Sequence, residues 1–82
     1  MFVYEVRENM GYDGIGDRVL VKDDENALEK VKEAIIGMLE FSHQPLASIV
    51  ISDVKNMSEI EDYHSFELGY FLSFDVEKVE VI

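Results

Sequence analysis

Between Glu25 and Phe41 the apolar residues Leu28, Val31, Ile35, Met38 and Leu39 recur at helical spacing, and Ala27 and Ala34 widen the stripe. Asn26, Glu29, Lys30, Glu33 and Glu40 fall on or near the opposite face. A stripe this wide has to be buried against another element, and most of the remaining chain alternates like strands. The spacing therefore predicts one amphipathic helix laid across a sheet. Asp23-Asp24-Glu25 offers an N-cap and places negative charge where the helix macrodipole favours it. The helix should stop before Ser42-His43-Gln44-Pro45, because the residue preceding a proline avoids the α region. Gly37 costs about 1 kcal/mol against Ala inside a helix, which suggests a close approach to the sheet at that point.

The flanking segments supply the strands. Phe2, Tyr4 and Val6 share one face of an opening strand, and Arg18–Lys22 can pair with it antiparallel across a glycine-rich loop, Asn9–Asp17. Leu46–Lys55, dense in Ile49, Val50, Ile51 and Val54, reads as the central strand. Ser58-Glu59-Ile60-Glu61 fits a capping box, leaving a short helical turn or an acidic loop as the alternatives. Phe66, Leu68, Tyr70, Leu72 and Phe74 share one face of a strand spanning Ser65–Phe74. A bend near Asp75–Lys78 would then lead into a last short strand, Val79–Ile82. The expected class is α+β: a small, mainly antiparallel sheet of four to five strands with one helix packed on one face, in the order β-β-α-β-β and a further short C-terminal strand. A lone helix leaves the other sheet face uncovered, with Val3, Leu20 and Phe71 on it.

At 82 residues there is room for one core, so residues 1–82 form a single domain. The chain has no cysteine, which excludes disulfides and thiolate metal sites and suits a reducing cytoplasm. Phe2–Asn9 carries acids early and no basic region followed by an apolar stretch, and no run approaches the roughly 20 apolar residues of a membrane span. A cytoplasmic location is expected.

Charge is the extreme feature: 18 acids against 7 bases, a net −11. Residues 1–22 carry −1 and residues 42–57 are neutral, whereas residues 23–41 carry −4 and residues 58–82 carry −6. Such a chain has no basic patch with which to release counterions, so direct binding to nucleic acid or to an anionic membrane is not expected.

Motifs for chemistry are weak. Gly11-Tyr12-Asp13-Gly14-Ile15-Gly16 resembles a phosphate loop only in its glycines. It lies between two strands rather than before a helix, no Lys-Ser/Thr follows, and Asp13 and Asp17 would repel phosphate. Those loop acids also lack the spacing of a calcium loop. His43 and His64 stand in no zinc frame and read as capping or surface residues. The serines lack a nucleophile elbow, and a domain this small rarely builds a carboxylate-lined sugar cleft. No catalytic residue, metal ligand or cofactor is assigned, and the chain reads as a non-enzyme.

The acidic surface is what remains. Glu25, Glu29 and Glu33 repeat at i, i+4, a carboxylate about every 6 Å along the helix, comparable with the phosphates of one nucleic-acid strand. Glu59, Glu61 and Asp62 form a second cluster beside Tyr63. Glu29, Glu33, Glu59, Glu61, Asp62 and Tyr63 are the candidate protein-binding residues. They suit an inhibitor or sequestering factor of phage type, a nucleic-acid mimic directed at a basic nucleic-acid-handling protein. Lys30 and Lys32 interrupt the helical array, and Glu29–Lys32 is also ordinary helix support. The alternative is a homo-oligomeric structural or accessory protein, a homodimer for example, joined through the uncovered sheet face or the Val79–Ile82 edge.

Overall fold

The computed structural model describes every residue except His43, Tyr70, Phe71 and Ile82. Expectations for those four, including Tyr70 on the buried face, Phe71 on the uncovered face and a strand reaching Ile82, lie outside the described residues. The element order is β1 (Phe2–Asn9), β2 (Ile15–Lys22), α1 (Ala27–Ser42), α2 (Ala47–Lys55), β3 (Tyr63–Glu67) and β4 (Ser73–Glu80), with a single 3-10 turn at Gly11–Asp13. The four strands form one antiparallel sheet in the order β2-β1-β4-β3.

The first hairpin follows the alternation of the sequence. Tyr4 and Val6 are buried, and β2 runs three residues further back than Arg18. The register of the pair shifts between Arg7 and Asn9, where the glycine loop begins. Gly14 closes the 3-10 turn at φ 85°, a left-handed conformation that an L side chain rarely adopts. The stretch is a hairpin loop that opens into a strand, so it lacks the helix N-terminus that a phosphate loop requires.

Helix α1 also follows its pattern: Ala27, Val31, Ile35, Met38 and Leu39 are its buried residues. Asp24 holds the helix entrance, its carboxylate accepting from the Asn26 N–H at 2.9 Å and its carbonyl from the Ala27 N–H at 3.1 Å. At the other end the Ser42 hydroxyl donates to the Leu39 carbonyl at 2.6 Å, three residues before the turn at Pro45. Gly37 is exposed and a Cβ there would meet nothing within 4 Å, so the expected close approach to the sheet does not exist.

Two expectations are corrected. Leu46–Lys55 is not the central strand; Ala47–Lys55 is a second helix, α2, making the order β-β-α-α-β-β with two helices on one face. Ala47, Val50 and Val54 are buried and Ile51 partly so, a stripe at i, i+3, i+4 and i+7, while Ser48, Ile49, Ser52 and Asp53 are exposed. β-branched residues in every register would suit a strand covered on both faces. The described residues form no second layer to provide that cover, so packing overrides propensity. The Lys32 ammonium donates to the Lys55 carbonyl at 3.1 Å, placing a cation at the negative end of α2 and tying the two helices together.

The second correction concerns Ser65–Phe74, which is a hairpin and not one strand. Phe66 pairs with Phe74, the Leu68 N–H donates to the Leu72 carbonyl at 2.8 Å, and Gly69 sits at φ 95°. A three-residue connection between Leu68 and Leu72 preserves parity, so the alternation of Phe66, Leu68, Leu72 and Phe74 is the same with or without a turn. The expected bend at Asp75–Lys78 is absent: β4 runs unbroken to Glu80 and is an inner strand between β1 and β3. The core lies between the two helices and the face formed by Tyr4, Val6, Val21, Phe66, Phe74 and Val76.

Candidate functional site

The sheet topology brings distant acids to one end of the molecule. β1 begins, and β2 and β4 end, at the same edge: Phe2 pairs with Glu80, Val3 with Lys22, and the Asp23 N–H donates to the Phe2 carbonyl. The loop from α2 into β3 arrives there as well, since the Lys78 N–H donates to the Asp62 carbonyl at 2.8 Å. Asp23, Asp24 and Glu25 from the α1 entrance therefore share a pole with Glu59, Glu61 and Asp62, all of them exposed. Lys78 is the cation at its centre. Its ammonium lies 3.6 Å from the Asp23 carboxylate and 4.8 Å from the centre of the Phe2 ring.

Among the candidate residues, Glu59, Glu61 and Asp62 are together in an open loop with no helical turn. Tyr63, the first residue of β3, is 53% exposed beside them. Glu29 is exposed in the first turn of α1. Glu33 is exposed too, but it borders a groove beside β2 and is not part of the pole. Sequence reasoning gives Asp23 and Asp24 only to the helix entrance and puts Glu25 in the helical array with Glu29 and Glu33. The place of Asp23–Glu25 beside the second acidic cluster depends on strand order, which no local pattern encodes.

The uncovered sheet face holds a network that the sequence did not announce. Asp75 is 2% exposed although no helix covers it. Ser65 and Ser73 donate their hydroxyls to its Oδ1 at 2.7 and 2.9 Å, Asn9 donates to its Oδ2 at 3.3 Å, and the Arg7 guanidinium lies 3.8 Å away. Arg7 also donates to Glu77 at 2.8 Å and Glu5 at 3.0 Å. Hydrogen bonding to Glu77 lifts the Arg7 pKa above its ordinary range against the cost of burial, with Glu5 adding to the rise. Val3 and Leu20 stand on this face as expected, but its middle is ionic.

The network does not assemble a hydrolytic site. His64 and Ser65 are successive strand residues and point to opposite faces. His64 instead lies 3.3 Å from the Glu61 carboxylate and against the Phe66 ring. Among the described residues no group of three or more His, Cys, Asp or Glu is arranged to hold a metal ion. No described helix is long and apolar enough to cross a membrane.

Tyr4, next to the pole, gives the fold a pH limit. Burial pushes its phenol above the ordinary value of 10.0, the Asp23 carboxylate adds to the rise, and Lys78 opposes it. A raised folded pKa means that the folded state holds the proton more tightly, so this stabilisation is complete below pH about 10 and is lost as pH rises through the folded pKa. Urea unfolding at pH 8 and pH 11 should show a larger loss of stability for the wild type than for Tyr4→Phe. Equal losses would remove Tyr4 as the cause.

No protein-family model matches this chain, and no curated protein or solved structure is significantly similar to it.

Proposed function

We propose that this chain is a small non-catalytic binding protein that inhibits or sequesters a protein with a basic, nucleic-acid-handling surface. The observation that carries the reading is the acidic pole, where acids from two segments far apart in sequence are exposed near Lys22 and Lys78. A field of that kind steers association with a basic cleft and competes there with nucleic acid. Glu29, Glu59, Glu61 and Asp62 supply charge at or near the pole, and Tyr63 is the aromatic anchor at its rim, an arrangement common in interfaces. Glu33 adds charge further along α1. The likeness to phage-encoded inhibitors that mimic nucleic acid is one of size and charge.

Affinity capture from lysate tests this. The immobilised protein should retain basic nucleic-acid-handling proteins at low salt and release them both at high salt and on addition of duplex DNA. Retention that survives both treatments would contradict the proposal.

A further inference from the structure

We propose that the groove between α2 and the free edge of β3 receives an extended, arginine-bearing segment of the basic partner, which adds to the four-stranded sheet as a further strand. The inference rests on the proposed function and names the form in which that partner binds. Val50, Asp53 and Met57 follow at i, i+3 and i+7, so one stripe of α2 and its exit overlooks the edge strand. With His64, Phe66 and Glu67 of β3 they line a groove of about 430 Å³. Met57 and His64 also line its continuation of about 230 Å³, which reaches Glu59 and Glu61 of the acidic pole.

The lining selects a cation with an apolar stem. Val50, Met57 and Phe66 give an apolar floor, and the His64 ring, 4.4 Å from that of Phe66, extends it. The acids along the two parts are Asp53, Glu59, Glu61 and Glu67, all exposed, and among the described residues no lysine or arginine lines either. Arginine fits this combination: its methylene stem packs on the floor while its guanidinium meets a carboxylate as a fork.

The main chain beside the groove supplies the other half of the site. The Asp62 carbonyl accepts from the Lys78 N–H, and the Leu68 N–H donates to the Leu72 carbonyl. Bonded and non-bonded pairs alternate along an antiparallel ladder, so Tyr63, Ser65 and Glu67 turn their N–H and C=O groups to the free edge. A segment that pairs with them gains main-chain hydrogen bonds and points alternate side chains into the groove. Charge chooses this edge over the other one. β2 carries Arg18 and Lys22 against Asp17 and repels a basic segment, whereas β3 carries Glu67 and follows Glu59, Glu61 and Asp62.

An NMR titration with the capped peptide Thr-Val-Arg-Val-Arg-Val-Thr tests the proposal. Saturable shifts should centre on the backbone amides of Tyr63, Ser65 and Glu67 and on the Met57 methyl. The same peptide with glutamine for both arginines should bind at least about tenfold more weakly. Asp53→Asn should weaken the arginine peptide at least about threefold, and Glu29→Gln, outside the groove, should leave it unchanged. Circular dichroism checks that each variant folds, and Glu67→Gln decides the matter if Asp53→Asn does not. No saturable binding up to millimolar peptide would overturn the proposal, as would equal binding of the glutamine peptide or shifts confined to the Glu59–Asp62 loop. Capture of basic proteins from lysate in any of those cases leaves the proposed function standing without the groove. Peptide bound at the groove with no such protein captured supports the site and contradicts the proposed function.

Discussion

Phe74→Ala is expected to lower the unfolding free energy by about 4 kcal/mol. Phe74 is completely buried and is the largest of the fully buried side chains. It lies on β4, one of the two inner strands, paired with Glu8 of β1 and Phe66 of β3. Truncation removes the transfer free energy of the ring and leaves a cavity between two helices and four strands, where collapse from any side is resisted. A chain of this length has roughly 4–12 kcal/mol in total, so the loss is about a third of the total or more. Urea titration followed by circular dichroism measures the difference. A loss below about 1 kcal/mol would mean that Phe74 is not at the centre of the core.

Asp75→Ala should cost about 3 kcal/mol, nearly as much, for a different reason. The substitution deletes no apolar volume but strands the hydroxyls of Ser65 and Ser73 and the amide of Asn9, all of which donate to this carboxylate. Arg7 would keep Glu5 and Glu77, which holds the penalty below that of an isolated buried charge. Asp75→Asn should cost less, about 1–2 kcal/mol, because its Oδ1 still accepts from both serines while its amide faces other donors. Equal stability of wild type and Asp75→Ala would mean that the network contributes nothing and that solvent satisfies its members. The network also ties β1, β4 and β3 together across the face that no helix covers, which accounts for a buried acid on a surface where apolar residues were expected.

How far the sequence could be read depended on whether a segment's pattern had one structural solution. The stripe of α1 and the alternation of β1 each have one, and both elements formed at the expected positions. Leu46–Lys55 has two, because apolar residues at 47, 50, 51 and 54 suit a helix face while their β-branching suits a strand. Only the supply of covering layers decides between them. In Ser65–Phe74 a turn with an odd number of residues leaves the alternation unchanged, and Gly69 was the one local sign of it. The acidic clusters were visible as composition. That Asp23–Glu25 and Glu59–Asp62 meet at one pole was not, since it follows from β1 lying between β2 and β4. The alternation places a bend at Asp75, while its partners Ser65, Asn9 and Arg7 come from other strands.

The central claim is that the acidic pole binds a basic partner in place of nucleic acid. Its most direct test is the affinity of the captured protein for the wild type and for a variant carrying Glu29→Lys, Glu59→Lys, Glu61→Lys and Asp62→Lys. With the variant folded, affinity should fall at least about a hundredfold, near 3 kcal/mol, and the ability to displace duplex DNA should be lost. Unchanged affinity with an intact fold would contradict the claim.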